Sequence, residues 1–251
     1  MPTLLNDGYR IHYQVHGPAG GAPVVLVHGY FVDYRLNWVA SRWEDELAMH
    51  SRRVIGLDLR GHGQSDKPHL PSAYDRDVMA TDVIRVLDEV GADRADYVGY
   101  SMGGRLGLEI LAAHPDRFSR AVIGGIGNFT SDDQEKIARR MLGDSTPFDP
   151  ESEAFYRFAT LHDNDLKALG ACMRGRLRSL DDPDFLSSIR VPMLILVGDQ
   201  DTRVTAARQV AGRIPGAEFM TIAGRNHFNA YLSRQFKDAT FQFLAISAPD
   251  A

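Results

Sequence analysis

Three residues in this chain have the types and order for nucleophilic chemistry on a carbonyl. The first is Ser101, inside Gly99-Tyr100-Ser101-Met102-Gly103. This G-x-S-x-G pattern is only moderately specific as a string, but its context raises the odds. An apolar run, "ADYV", leads into it and a helix-like run, "MGGRLGLEILAAHP", follows, which is the strand-turn-helix placement the pattern requires. A serine on so tight a turn needs small neighbours, and Gly99 and Gly103 leave that room. Gly104 and Gly107 let the following helix pack close to its neighbours. The helix N-terminus then favours negative charge developing beside the hydroxyl. The plainer alternative is a glycine-rich helix start with an N-cap serine.

A serine hydroxyl is a weak nucleophile until a base takes its proton, and that base needs an orienting acid. Of nine histidines, His227 in "AGRNHFNAYL" is the best base. It falls between the last strand and the last helix, where a loop can reach back over the sheet. His62, in the turn "RGHGQSDKP", is its rival and is assigned to structure, because Gly61 and Gly63 suggest a fixed loop. His28 ends a buried strand and is expected to hydrogen-bond loop backbone. The segment "LILVGDQDTRV" offers Asp199 and Asp201. They alternate, so they point differently; Asp201 is favoured as the acid and Asp199 as a turn former or cap. Asp58 precedes the glycine turn, and an acid after "RAVIGGIG" is replaced by Asn128. The resulting order is Ser101, Asp201, His227, as in hydrolases built on an open parallel sheet.

The elements that must position these residues follow from periodicity. "YRIHYQVHG" (9–17) alternates and predicts an edge strand. "VVLV", "RVIGLDL" (53–59), "ADYVGY", "RAVIGGIG", "VPMLILVGD" and "AEFMTIAG" are short apolar runs of the kind buried in parallel sheets. Helices are predicted over 76–91, after Ser101, over "RVTAARQVAGRIPG", and from Asn226 to Ile246. Strands alternating with helices imply a mostly parallel sheet flanked by helices. Residues 128–190 break that alternation. They carry helical patches and no convincing strand, and are expected to form a small helical cap inserted between core segments 1–127 and 191–251. In it, Phe148, Phe155, Tyr156, Phe158 and Leu161 are expected mainly to pack the cap, with some lining an apolar pocket. Arg174, Arg176 and Arg178 are expected on a solvated face, although an anionic substrate could meet them. Asp33 and Arg35 are candidates for the pocket mouth.

Composition excludes other classes. The net charge of −5 with interspersed signs, and no basic stripe, argues against nucleic acid. Cys172 is the only cysteine, so no intrachain disulfide forms, which suits a reducing compartment. The start "MPTLLNDGYRIHY" has neither the basic nor the long apolar part of a signal peptide, and no run approaches a membrane span. A cytoplasmic protein is expected, monomeric or homodimeric, working without membrane contact.

Taken together, "VHGY", "DLRGHGQSDKP", "GYSMGGR", "VGDQDTRV" and "GRNH" resemble the α/β-hydrolase fold family over nearly the whole chain. The resemblance implies that His28-Gly29 opens an oxyanion-hole loop, with the backbone N–H groups of Tyr30 and Met102 as donors, Gly29 permitting the turn and His28 bracing it. It implies a substrate pocket including Phe31, Phe155, Phe158 and Phe228. Two departures stand out. Asn226 occupies a place where the family often has glycine. Phe228 stands where carbon–carbon bond hydrolases usually have tryptophan. Members that open epoxides or displace halide place aspartate at the nucleophile, which Ser101 argues against. The expected activity is hydrolysis of small carboxylic esters or lactones through an acyl-enzyme on Ser101, with no cofactor and no metal. The alternatives are a carbon–carbon bond hydrolase or perhydrolase on the same residues, or a small-molecule receptor that keeps them.

Overall fold

A computed structural model describes residues 2–127, 131–144, 150–175 and 180–246, with backbone only at 131, 150–152, 154 and 155. Its centre is an eight-stranded sheet. The strands are β1 (Thr3–Asn6), β2 (Tyr9–His16), β3 (Ala22–Val27), β4 (Arg52–Leu57), β5 (Ala95–Tyr100), β6 (Phe118–Gly124), β7 (Met193–Gly198) and β8 (Glu218–Ile222). Their order is β1-β2-β4-β3-β5-β6-β7-β8. The pairs β1–β2 and β2–β4 are antiparallel and the rest are parallel.

The antiparallel end corrects one expectation. The 9–17 segment lies second in the sheet, not at its edge, because β1 covers it. The signal for β1 is in the sequence: Asp7-Gly8 is a two-residue hairpin turn, with φ of 50° and 79°, the dipeptide that such turns favour.

Alternation along the central strands builds two cores. On β3, Val24 and Leu26 face one side, against Trp43 and Leu47 of α1 (Trp43–Met49) and Phe236 and Phe241 of α9 (Arg234–Phe243). Val25 and Val27 face the other, with α2 (Arg76–Glu89), α3 (Met102–Ala113) and α8 (Val204–Arg213). Both faces of the central parallel strands are therefore dry, β5 and β7 along their whole length, which is why those strands read as unbroken apolar runs. Beneath α2, Arg60 and Asp82 are both fully buried and bonded twice, at 2.6 and 2.7 Å.

Between β6 and β7 the chain is helical among the described residues: α4 (Ser131–Met141), α5 (Pro150–Leu161), α6 (Leu166–Met173) and α7 (Pro183–Ser188). Asp165 and Asp182 start α6 and α7 by accepting from two backbone N–H groups each. Ile137, Met141, Ala159 and Leu169 join the same core as Tyr30 and Tyr74. Leu161 does not pack as expected and is 77% exposed. Phe148 and the side chain of Phe155 lie outside the described residues. The C-terminal helix is also shorter than expected. A single turn at Ala230–Leu232 precedes α9, which begins at Arg234 with the Ser233 hydroxyl as its cap. None of the described helices is long and apolar enough to cross a membrane.

Candidate active site

Ser101 lies between β5 and α3 with φ 53° and ψ −114°. A non-glycine residue in that region is strained, and such strain persists only where the surroundings enforce it. Here the enforcement is visible. The Ser101 N–H donates to the Gly124 carbonyl at 2.8 Å, and the Ser101 carbonyl accepts from the Arg105 N–H at 2.8 Å. The neighbours must be glycine for lack of space. A Cβ on Gly103 would lie 2.2 Å from the Val27 carbonyl oxygen, and one on Gly99 would lie 2.5 Å from that of Gly103.

The exits of three other strands meet at this turn. His227, after β8, places Nε2 3.0 Å from Ser101 Oγ and Nδ1 2.9 Å from Asp201 Oδ2. Asp201, after β7, is buried. Its Oδ1 accepts from the backbone N–H of Arg203 at 3.0 Å and from Arg203 Nη1 at 3.2 Å. Burial works to raise the Asp201 carboxyl, but hydrogen bonding and charge from His227 and Arg203 outweigh it and hold it below the usual carboxylate range. The Tyr100 hydroxyl donates to the His227 carbonyl at 2.6 Å and fixes the loop that carries the imidazole. Asp199 is exposed and accepts from the Gly224 N–H at 2.9 Å, bracing the β8 exit rather than touching His227. A serine, imidazole and buried carboxylate joined in this way can transfer a proton from the hydroxyl as it attacks a carbonyl.

The loop after β3 runs beside Ser101. His28 is fully buried; its Nε2 accepts from the Leu59 N–H at 2.9 Å, so Nδ1 carries the proton and donates to the Gly29 carbonyl at 2.7 Å. Burial lowers its pKa, which matches this neutral tautomer. Asn37 Oδ1 accepts from the Gly29 N–H at 2.9 Å. It belongs to a turn of π-helix at Arg35–Val39, whose entry is held by Asp33 accepting from the Leu36 N–H at 2.7 Å. Asp33 is therefore a turn former. Gly29 itself is not needed for φ or for packing. A Cβ there would meet Ser101 Cβ at 3.5 Å, an ordinary contact, so its absence keeps open the space before the hydroxyl.

His62 is buried with Nδ1 3.0 Å from the Arg60 carbonyl and Nε2 against that of Tyr30. Burial pushes its pKa down to about 3, so the ring is neutral and donates to one of the two carbonyls at a time. Both its nitrogens face backbone carbonyls rather than a hydroxyl or carboxylate, and it is held between Gly61 and Gly63 at φ of 84° and 49°. Met102 is the first residue of α3, where N–H groups have no intrahelical partner.

The helical segment reaches these loops directly. The Tyr30 hydroxyl donates to the Leu169 carbonyl, Asn164 Nδ2 donates to the Phe31 carbonyl at 3.1 Å, and Cys172 Sγ lies 3.9 Å from Met102 Sδ. Burial pushes the Cys172 thiol up to about 12, so it is a neutral, apolar group here. The Phe228 ring stands 6.0 Å from His227 and 6.1 Å from Phe158. Phe31 is buried edge-on against Tyr30 at 4.4 Å. Arg174 is tied to Glu135 at 2.9 and 3.0 Å; Arg176 and Arg178 lie outside the described residues. Among the described residues no cluster of metal-ligating side chains occurs. Arg203 and Asn37 escaped the sequence analysis. No local pattern marks either, although a π-helical turn in a structure often signals a functional position.

Residues 22–169 match the alpha/beta hydrolase fold family, more than half the chain. The chain belongs to that family. It is similar to a non-heme chloroperoxidase from Streptomyces lividans, 34% identical over 125 residues, 48% of this chain and 42% of that one. The match thus spans less than half the length of that relative. Among solved structures, the enol-lactonase from Burkholderia xenovorans LB400 superimposes with TM-score 0.82 at 21% identity over 97% of this chain and 100% of that one. An N-acyl homoserine lactone degrading enzyme gives TM-score 0.72 at 26% identity, over 96% and 98%. In this α/β-hydrolase, α4 to α7 fill the connection between β6 and β7.

Proposed function

We propose that this α/β-hydrolase is a serine hydrolase of small carboxylic esters or lactones. The observation that carries the proposal is the continuous chain from Ser101 Oγ through His227 to Asp201, at 3.0 and 2.9 Å. In the proposed reaction Ser101 attacks the carbonyl as His227 Nε2 takes its proton. Asp201 holds the imidazole and supports the imidazolium. The Tyr30 and Met102 amides receive the oxyanion, each donor contributing roughly 3–4 kcal/mol to the transition state. His227 returns the proton to the leaving alcohol. Water, activated by the same imidazole, then releases the acid. The elbow strain, the pinned Tyr30 carbonyl and the Asn37 bond to Gly29 support this assignment, because they preorganise donors and nucleophile without substrate.

Apolar groups adjoin Met102 and His227: Cys172 lies against Met102, and Phe228 stands beside His227 and next to Phe158. They favour substrates whose acyl or alcohol part is uncharged. Residues 128–190 serve as the cap over this space, and residues 1–127 with 191–251 as the catalytic core. The single cysteine fits a reducing, cytoplasmic setting.

The similarity to a chloroperoxidase favours one second reading, perhydrolysis. Hydrogen peroxide in place of water would take the acyl group from Ser101, giving a peracid and free enzyme.

The test is the initial rate on p-nitrophenyl esters of increasing acyl length, for the wild type and Ser101→Ala, with and without hydrogen peroxide. Turnover lost in Ser101→Ala supports the hydrolase. Peracid formation exceeding hydrolysis supports the second reading. Equal rates in the two proteins refute both.

A further inference from the structure

We propose that Arg203 is a positioning residue for the Asp201–His227 pair: it clamps Asp201 Oδ1 so that Oδ2 stays on His227, and its charge tempers that of the carboxylate. The proposal rests on the serine-hydrolase reading above. Two independent observations carry it. First, Arg203 brings both its backbone N–H and its guanidinium to the same oxygen, at 3.0 and 3.2 Å, while His227 takes the other. The side chains are well buried, Arg203 at 10% exposure and Asp201 at 0%, so water screens the pair weakly. Second, the neighbouring strand exit is shaped for this side chain. A Cβ at Gly127, just after β6, would lie 2.5, 2.6 and 2.8 Å from Arg203 Cβ, Cγ and Cδ. Gly127 is therefore a trough in which the aliphatic stem lies on its way to Asp201. A surface arginine needs no such trough.

The consequence is electrostatic. A cation near an imidazole disfavours the imidazolium. Arg203, bonded to Asp201, offsets part of the carboxylate charge, so its loss is expected to move the acid limb of Ser101 reactivity upward. Among the described residues, Tyr100 packs on the His227 ring and Tyr231 packs on Tyr100. Burial raises both phenols, so they stay neutral.

The experiment measures the rate of fluorophosphonate labelling of Ser101 between pH 4.5 and 9, which needs no knowledge of the natural substrate. It compares wild type, Arg203→Met, Arg203→Lys and Gly127→Ala, with melting temperatures alongside. In Arg203→Met the acid limb moves up by about half a unit to one unit, as for loss of a nearby charge, and the plateau falls. Arg203→Lys restores the limb. Gly127→Ala displaces the stem and moves the limb the same way with Arg203 intact, so the proposal survives a poorly folding arginine variant. An unmoved or downward limb in Arg203→Met overturns it, even if the melting temperature drops. If wild-type Ser101 fails to label, the hydrolase reading is what fails. The Nδ1–H proton signal of His227 in NMR spectra, which reports its bond to Asp201, then decides for Arg203: weakening of that signal in Arg203→Met supports the clamp and an unchanged signal overturns it.

Discussion

Asp201→Asn offers the sharpest quantitative test, because Arg203 dictates how the new amide must lie. Two N–H donors point at Oδ1 and one imidazole nitrogen faces Oδ2. If the asparagine NH₂ group took the Oδ1 position, donors would face donors, and buried polar groups would lose partners at about 1–3 kcal/mol each. The amide oxygen therefore stays with Arg203, and the NH₂ group faces His227 Nδ1. Nδ1 must then accept, so the imidazole proton moves to Nε2, 3.0 Å from Ser101 Oγ. The lone pair that should take the serine proton is gone, and the carboxylate charge is gone with it. The same tautomer error in another serine triad costs about 10⁴-fold in turnover, or about 5.5 kcal/mol of transition-state stabilisation. Asp199→Asn is the control. Asp199 accepts one N–H, from Gly224, and an asparagine oxygen can accept it too. Its effect is expected within about threefold, as for a surface substitution that keeps its hydrogen bond. Initial rates on p-nitrophenyl acetate and fluorophosphonate labelling measure both. Asp201→Asn retaining a tenth of wild-type activity, or Asp199→Asn as damaging as Asp201→Asn, would refute the reasoning.

Three further outcomes concern stability. Burial depresses the folded-state pKa of His28, and of His62 to about 3, whereas the unfolded chain protonates both near pH 6.5. Their contribution is therefore present above pH 6.5 and lost as pH falls. For His62, linkage gives a loss of about 2 kcal/mol between pH 7 and 5, to which His28 adds in the same direction, and His62→Gln should remove the His62 part of that slope in urea melts; a flat profile contradicts the neutral, buried assignment. Arg60→Met leaves Asp82 buried without its cation and should cost about 3–5 kcal/mol; an unchanged urea midpoint would contradict this, and Arg60→Met with Asp82→Leu should recover most of the loss. Gly103→Ala pushes a methyl against the Val27 carbonyl and should cost about 3 kcal/mol, at the upper end of overpacking; a melting temperature equal to wild type would show that the elbow can relax.

The parts of the site that could be read from the sequence are those whose chemistry is written in a few consecutive residues. The Gly99–Gly103 turn, the acid after a strand and the histidine before the last helix each announce themselves locally. Strand alternation says only that Asp201 and Asp199 point differently; the 2.9 Å contact with His227 Nδ1 is what singles out Asp201. The fold was legible for a similar reason, since strands buried on both faces leave apolar runs of the right length. What escaped has a physical cause in each case. β1 is four residues long, too short for periodicity to register. The π-turn places Trp38 against Trp43 and Tyr231, and α1 places Trp43 against Phe236 and Phe241 of α9, spacings set by packing that no local pattern reports. The break before α9 comes from Ser233, whose hydroxyl caps the Phe236 N–H and fixes a start that the apolar pattern alone placed earlier.

Arg203 belongs to a different category. Its meaning depends on Gly127, which sits in the exit of the neighbouring strand and is distant in sequence. Neither residue says anything by itself: an arginine at a helix start and a glycine after a strand are common. Only when β6 and β7 lie side by side does the missing Cβ of one become the channel for the stem of the other. The site thus has two levels of specification. Residue type fixes the hydrogen-bonded chain from Ser101 through His227 to Asp201, and this is what a sequence exposes. In the proposal for Arg203, paired steric choices across adjacent loops set how firmly that chain is held. The Gly127→Ala variant separates the two levels, because it leaves every charged and hydrogen-bonding group of the site in place and removes only the space that aims one of them.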